Sequence, residues 1–143
     1  MTSPPVTVTV TVSGQCVCGD VRFRIAGALR EVVYCHYHQC HKHHGAPAAF
    51  SASDRDTLEL DPDQRALSWY RSSTGVQRGF YCHCGTSLFW DDASRAYMTV
   101  SAAVLAPLTP LAARAHIYTT GPPGFDTIRD HLPQFGAGLG GMT

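Results

Sequence analysis

Residues 14–25 read GQCVCGDVRFRI. Two cysteines one residue apart are followed by a glycine, and then Val21, Phe23 and Ile25 alternate with Arg22 and Arg24. A period of two marks a strand with one buried face. Residues i and i+2 of extended chain point to the same side, so the segment sets two thiols side by side on a turn that feeds a half-buried strand. Far along the chain, Tyr81-Cys82-His83-Cys84-Gly85 repeats the arrangement. In both places a glycine follows the second cysteine and permits a backbone that brings amide groups toward sulfur. Close thiol pairs separated by long intervals are how zinc sites are built, two ligands from each of two turns. Cys16, Cys18, Cys82 and Cys84 are therefore expected to form a closed, tetrahedral structural zinc site, able to contribute on the order of 10 kcal/mol to folding. Disulfides within the pairs are disfavoured, because so short a ring is strained.

Working outward, valine alternates with threonine over residues 6–12. Segments 31–34, 58–60, 67–71, 77–81, 87–90, 97–100 and 115–119 also read as short strands, punctuated by Asp61-Pro62-Asp63, Gly85, the 91–94 cluster and Pro107/Pro110. Helical patterning is confined to a short turn around 38–44 and a segment over 125–131, stopped by Pro133. Many short strands with regular turn signals predict an all-β domain, sandwich-like or barrel-like. The domain is expected over 13–136, with an N-terminal strand extension over 1–12 and a flexible, glycine-rich tail over 137–143.

The chain has 143 residues and a formal charge of zero from 11 basic and 11 acidic side chains. That is enough for one real core, and it lacks the footprint that nucleic acid or an anionic membrane attracts. The opening MTSPPVTVTVTV has no basic or leucine-rich region and does not read as a signal peptide. No apolar run approaches the ~18 residues of a membrane helix. The expected setting is cytoplasmic, where thiols stay reduced, and an exposed strand edge over 6–12 would make a homodimer easy.

Residues 34–50, YCHYHQCHKHHGAPAAF, hold two cysteines and five histidines between Cys35 and His44. His41, Lys42, His43 and His44 are expected as the solvated face of a short turn. Arg78 is expected as a surface strand arginine or, less simply, a carboxylate ligand. His116 is expected as a satisfied buried histidine, and Trp69 and Tyr70 as core and edge residues.

Several of these motifs, in this order, resemble the glutathione-dependent formaldehyde-activating enzyme family. They are Gly14-Gln15-Cys16-x-Cys18-Gly19-x-Val21-x-Phe23, Cys35-His36-x-x-x-Cys40, Arg78-x-Phe80 with Cys84-Gly85, Ala115-His116-Ile117, and Asp130 to Phe135. The resemblance spans roughly residues 13–136. It implies an all-β fold of Mss4-like type, and the family includes relatives of centromere protein V with no established enzymatic role. It also implies two zinc ions. One is structural; the other sits on a C-H-C-x-x-C triplet with an open position, where a glutathione thiol and formaldehyde meet. The reaction implied forms S-hydroxymethylglutathione, a carbon–sulfur lyase reaction read backwards.

The chain departs from that pattern twice. The middle cysteine of the triplet is Tyr37, in Cys35-His36-Tyr37-His38-Gln39-Cys40, and the first cysteine of the later pair is displaced to Cys82. Three readings of 35–44 stay open. His36 or His38 could replace the missing thiolate beside Cys35 and Cys40 and leave zinc an open position, although alternation sends both to the opposite side from Tyr37. Alternatively the metal is gone, Tyr37 and Tyr81 stand in the sulfur positions, and the pocket isomerises or dehydrates a small carbonyl compound by Tyr and His acid–base chemistry. In the third reading, His41 to His44 are simply the solvated face of a short turn. A separate rival is a non-catalytic, zinc-stabilised binding module, which predicts an exposed apolar patch and no concave pocket near Tyr37. The leading expectation is a zinc-binding, lyase-like enzyme acting on a small carbonyl compound, with glutathione as candidate thiol and His36, Tyr37 and His38 as candidate catalytic residues.

Overall fold

The computed structural model of the chain describes residues 8–61 and 67–138. In chain order its elements are β1 (Val8–Gln15), β2 (Arg22–Leu29), β3 (Val32–Cys35), α1 (His38–His44), β4 (Ala48–Asp54), β5 (Leu58–Leu60), β6 (Leu67–Ser73), β7 (Val76–Tyr81), β8 (Ser87–Asp92), β9 (Tyr97–Ser101) and β10 (Ala113–Ile117). Short 3-10 turns at Arg55–Thr57 and Ala102–Val104 follow β4 and β9. The fold is all-β and Mss4-like in its make-up. None of the described helices is long and apolar enough to cross a membrane.

The strands form two sheets. A small one runs β1-β2-β5, and a seven-stranded one runs β10-β3-β4-β9-β8-β7-β6. Every pairing is antiparallel except β10 with β3, where His116 lies opposite Tyr34 and Ile117 opposite Cys35. The alternation read in residues 21–25 holds: Val21, Phe23 and Ile25 are buried while Arg22 and Arg24 are exposed. With Leu29 they pack against Tyr81, Leu88, Phe89 and Val100 of the large sheet, and this is the main core between the sheets. A second cluster at the far end of the large sheet joins Val33, Cys35, Cys40, Ala48, Phe50, Ala115 and Ile117, with Trp90 packed against it. Both candidate sites border this second cluster.

Strand β1 pairs with β2 along its whole length, Val8 opposite Leu29 to Gln15 opposite Arg22. Residues 6 and 7 of the alternating run lie outside the described residues, as does the end of the tail over 139–143. The expected helix over 38–44 is α1, closed by Gly45 at φ 80°. The expected helix over 125–131 is absent; that segment is turn and irregular chain. Its carboxylates are taken by other elements: Asp126 by histidines of the 36–41 stretch, and Asp130 by His116 and the Leu132 amide. Such side-chain capture competes with helix formation. The sequence reading also lacked β4, whose small side chains pack between β3 and β9. Trp69 and Tyr70 are both exposed; the Trp69 ring stacks on Phe89 across Gly79, which has no room for a Cβ.

Leu88 is fully buried between the sheets. Leu88→Ala is expected to lower stability by about 2–5 kcal/mol, read as a fall in the urea midpoint with unchanged slope.

Candidate active site and metal clusters

The end of β3 distributes its side chains by alternation. Cys35 and Tyr37 face a cavity of about 540 Å³, also lined by Cys40, Arg78, Trp90 and Tyr118. His36 points through the opposite face, toward a separate hollow of about 360 Å³ that it shares with His116, Asp126 and Asp130. Helix α1 then returns Cys40 to the first side and His41 to the second, both buried. His38, at the exposed start of α1, lies in neither set; its ring packs on Tyr37 at 4.3 Å between centroids.

On the cavity side, the Cys35 and Cys40 sulfurs lie 3.0 Å apart in a hydrogen bond. Arg78, only 2 % exposed, donates from Nη2 to the Cys40 sulfur at 3.5 Å. The hydrogen bond between Cys40 and Cys35 and the Arg78 charge bring the Cys40 thiol down to about 7, against the burial that opposes ionisation. Cys35, bonded to Cys40 and itself buried, is pushed well up. Of the two, Cys40 is the more readily ionised. The Nε and Nη1 of Arg78 are buried with no protein partner among the described residues, although buried polar groups are nearly always paired. The expectation of a surface arginine is overturned: the β7 position faces inward, and the adjacent thiolate compensates the buried charge.

The two cysteine turns meet where the small sheet crosses the large one. Cys16, Cys18 and Cys84 lie with their sulfurs within 4.8 Å of one another, Cys16 and Cys18 at 3.6 Å. Gly19 at φ 84° and Gly85 at φ 78° close the two turns in the left-handed region, where glycine is favoured. The Val21 amide donates to the Cys16 sulfur at 3.3 Å. The Cys84 thiol is brought down to about 6 by its hydrogen bond with the Thr86 hydroxyl and by the Thr86 and Cys18 amides. Cys82, exposed at the start of the same turn, is not among the three clustered sulfurs. Tyr81 also belongs here and not beside Tyr37: its hydroxyl donates to Asp20 at 2.9 Å and its ring is part of the main core.

Behind β3, Asp126 Oδ2 sits 2.5 Å from His36 Nδ1 and 2.6 Å from His41 Nε2. His36 Nε2 meets His116 Nδ1 at 2.7 Å, and His116 Nε2 meets both Asp130 oxygens at 3.0 Å. Its histidine partners hold the Asp126 carboxyl below the ordinary range, outweighing its burial. His116 is, as expected, buried and satisfied. The solvated-turn reading of 41–44 holds for Lys42 alone: His41 is buried, His43 bonds the Ser87 hydroxyl at 2.8 Å, and the half-buried His44 ring packs edge-on against Phe50. The signal that could have found Asp126 was weak, one carboxylate in the glycine- and proline-rich run GPPGFD, some 85 residues from its partner His41.

The model of the glutathione-dependent formaldehyde-activating enzyme family matches residues 11–121. The chain belongs to that family. None of the curated proteins matches it. A crystal structure of a Rhodobacter sphaeroides protein is similar at a TM-score of 0.57 and 21 % identity, over 71 % of this chain and 98 % of the other, which bears on the fold alone.

Within the family pattern, the position of the catalytic zinc can be tested on the donors. Around Cys35 and Cys40 no third His, Cys, Asp or Glu donor completes a cluster among the described residues. A guanidinium also occupies the neighbourhood where a dication would sit. These residues do not fit the second zinc. The Cys16–Cys18–Cys84 cluster does fit a zinc ion, since it gathers three thiols within 4.8 Å of one another on two facing turns.

Peptide-resolved alkylation with iodoacetamide checks the assignment of the thiolate. Cys40 is expected to label with a midpoint near its value of about 7, slowing as pH falls because only the thiolate is nucleophilic. Arg78→Met should move that midpoint upward. A Cys40 midpoint at the ordinary thiol value in the natural protein would contradict the geometry.

Proposed function

We propose that the protein is a zinc-stabilised enzyme of carbon–sulfur lyase type, joining and separating a thiol and a small carbonyl compound in the cavity beside Cys35 and Cys40. The observation that carries this reading is the buried Cys40–Arg78 pair, whose guanidinium keeps two donors unpaired beside the cavity. A base with a pKa near 7 is matched to proton transfer at neutral pH. Cys40 takes the proton of the incoming thiol, whose sulfur adds to the carbonyl carbon. The C=O π bond breaks, and the oxygen is held by Arg78 as it gains negative charge. The proton returns to that oxygen to give the hydroxyalkyl thioether, with Tyr37 lining the same space as a further hydroxyl donor. Every atom of thiol and carbonyl is retained, and no step needs a second metal. Glutathione is the thiol the family suggests, and a cytoplasmic setting suits free thiols.

The structural zinc belongs at Cys16, Cys18 and Cys84, with Cys82 of the same turn as its fourth thiolate. It would supply folding energy, tying the β1–β2 turn to the β7–β8 turn. Elemental analysis checks this: Cys84→Ser should carry one zinc fewer than the natural protein and melt earlier, and Cys82→Ser should lose the ion more readily to a chelator. Unchanged zinc in Cys84→Ser would sink the assignment.

Tyr37 in the cavity and the missing third donor also favour a second reading, a glutathione-independent isomerase or dehydratase. A non-catalytic module is less favoured, because it expects no concavity beside Tyr37. One experiment separates these: magnetisation-transfer NMR of labelled formaldehyde and glutathione exchanging with their adduct. The lyase reading expects acceleration by the protein, reduced roughly 100-fold in Cys40→Ala and comparably in Arg78→Met. Aldehyde turnover without any thiol would favour the second reading, and no acceleration of either kind would leave the module.

A further inference from the structure

We propose that His36, His41 and Asp126 bind a divalent transition-metal ion, at a site separate from the Cys35–Cys40 cavity and on the opposite face of β3. Their ligand atoms lie within 4.8 Å of one another. The side chains are 2 %, 7 % and 6 % exposed, so three polar groups are gathered in a place that water barely reaches. They come from three separate parts of the chain: the residue after β3, the middle of α1, and the loop that follows β10.

The hydrogen-bond network can accommodate a metal ion with every ring nitrogen used. Along Asp126–His36–His116–Asp130 there are three close contacts through four ring nitrogens. Each contact needs one proton. Two neutral imidazoles carry only two, so without a metal ion the third has to come from an imidazolium or a protonated carboxyl. A metal ion on His36 Nδ1, His41 Nε2 and Asp126 removes that requirement. His36 then carries its proton on Nε2 and donates to His116 Nδ1, and His116 carries its own on Nε2 and donates to Asp130. Both rings are neutral and every nitrogen is used. A metal-bound imidazole whose far nitrogen is anchored by a carboxylate is the usual outer shell of histidine ligands, here lengthened by one imidazole.

Two imidazoles and one carboxylate, with no sulfur, suit zinc or ferrous iron. The hollow of about 360 Å³ bounded by Phe125 and Asp130 borders the cluster, with room for water or a small anionic ligand at the remaining positions. The ion would also fasten residues 125–130 to α1. The inference does not depend on the reaction assigned to the other face.

Metal content of the full-length purified protein, with excess Co²⁺ as probe, tests the site. Asp126→Asn and His41→Ala are each expected to carry one ion fewer than the natural protein, while Cys35→Ser carries the same number. Asp126→Asn is nearly isosteric, and its circular dichroism reports whether the fold is kept. The absorption difference between the natural Co²⁺ protein and Asp126→Asn should lack the sulfur-to-metal charge-transfer band that marks thiolate ligation. Equal metal content in Asp126→Asn and the natural protein overturns the proposal. So does loss of an ion in Cys35→Ser with none in Asp126→Asn, or a thiolate band in the difference spectrum. Failure of the lyase reading would appear in adduct exchange, which none of these readouts measures.

Discussion

Everything functional in this molecule follows from the two-residue period of one short strand. β3 is only four residues long, Val32–Cys35, yet it is flanked on both sides, by β4 and by β10. Its direction and register are therefore fixed. With the backbone held, Cys35 and Tyr37 must fall on one face and His36 on the other. The first turn of α1 repeats the division through Cys40 and His41. A histidine at position 36 cannot make good the loss of a cysteine at 37 without twisting the strand out of its sheet. The substitution has separated thiol chemistry and imidazole chemistry into two places about one strand apart.

The cavity side works by electrostatic compensation. A guanidinium that is 2 % exposed would be costly alone. Ionised, Cys40 supplies the matching negative charge, and the Cys35 sulfur lies 3.0 Å from it in a hydrogen bond. Each of the three groups is tolerable there only because of the other two. Arg78 still keeps two donor atoms without a protein partner among the described residues. The thiol cluster at the sheet crossing is a different case: three sulfurs within 4.8 Å of one another, one of them accepting from the Val21 amide.

The strands were legible wherever large apolar and charged residues alternate, as in Val21–Ile25, because that pattern reports directly on a two-sided surface. β4 was not, since AAFSASD is built from small residues whose burial comes from close approach to β3 and β9 and not from hydrophobicity. The cysteine pairs announced their turns, and the family motifs announced the fold. Arg78 was misjudged because an arginine in a half-exposed pattern reads as solvent-facing, and only the tertiary neighbour at Cys40 makes its burial affordable. The segment 125–131 carried helix-forming residues, but the helix loses to histidines that the sequence places some 80 to 90 positions away.

The parallel pairing of β3 with β10 also sets a timetable. His36 and His116 are neighbours in space and 80 residues apart in the chain, so β3 has an open edge until the C-terminal quarter exists. At about 5–20 residues per second, synthesis of that interval takes roughly 4–16 seconds. Non-local parallel pairing is itself slow to form. Throughout that interval Cys35, Cys40 and the imidazoles emerge unprotected, and a nascent chain of this kind depends on a reducing environment before its fold can shield them.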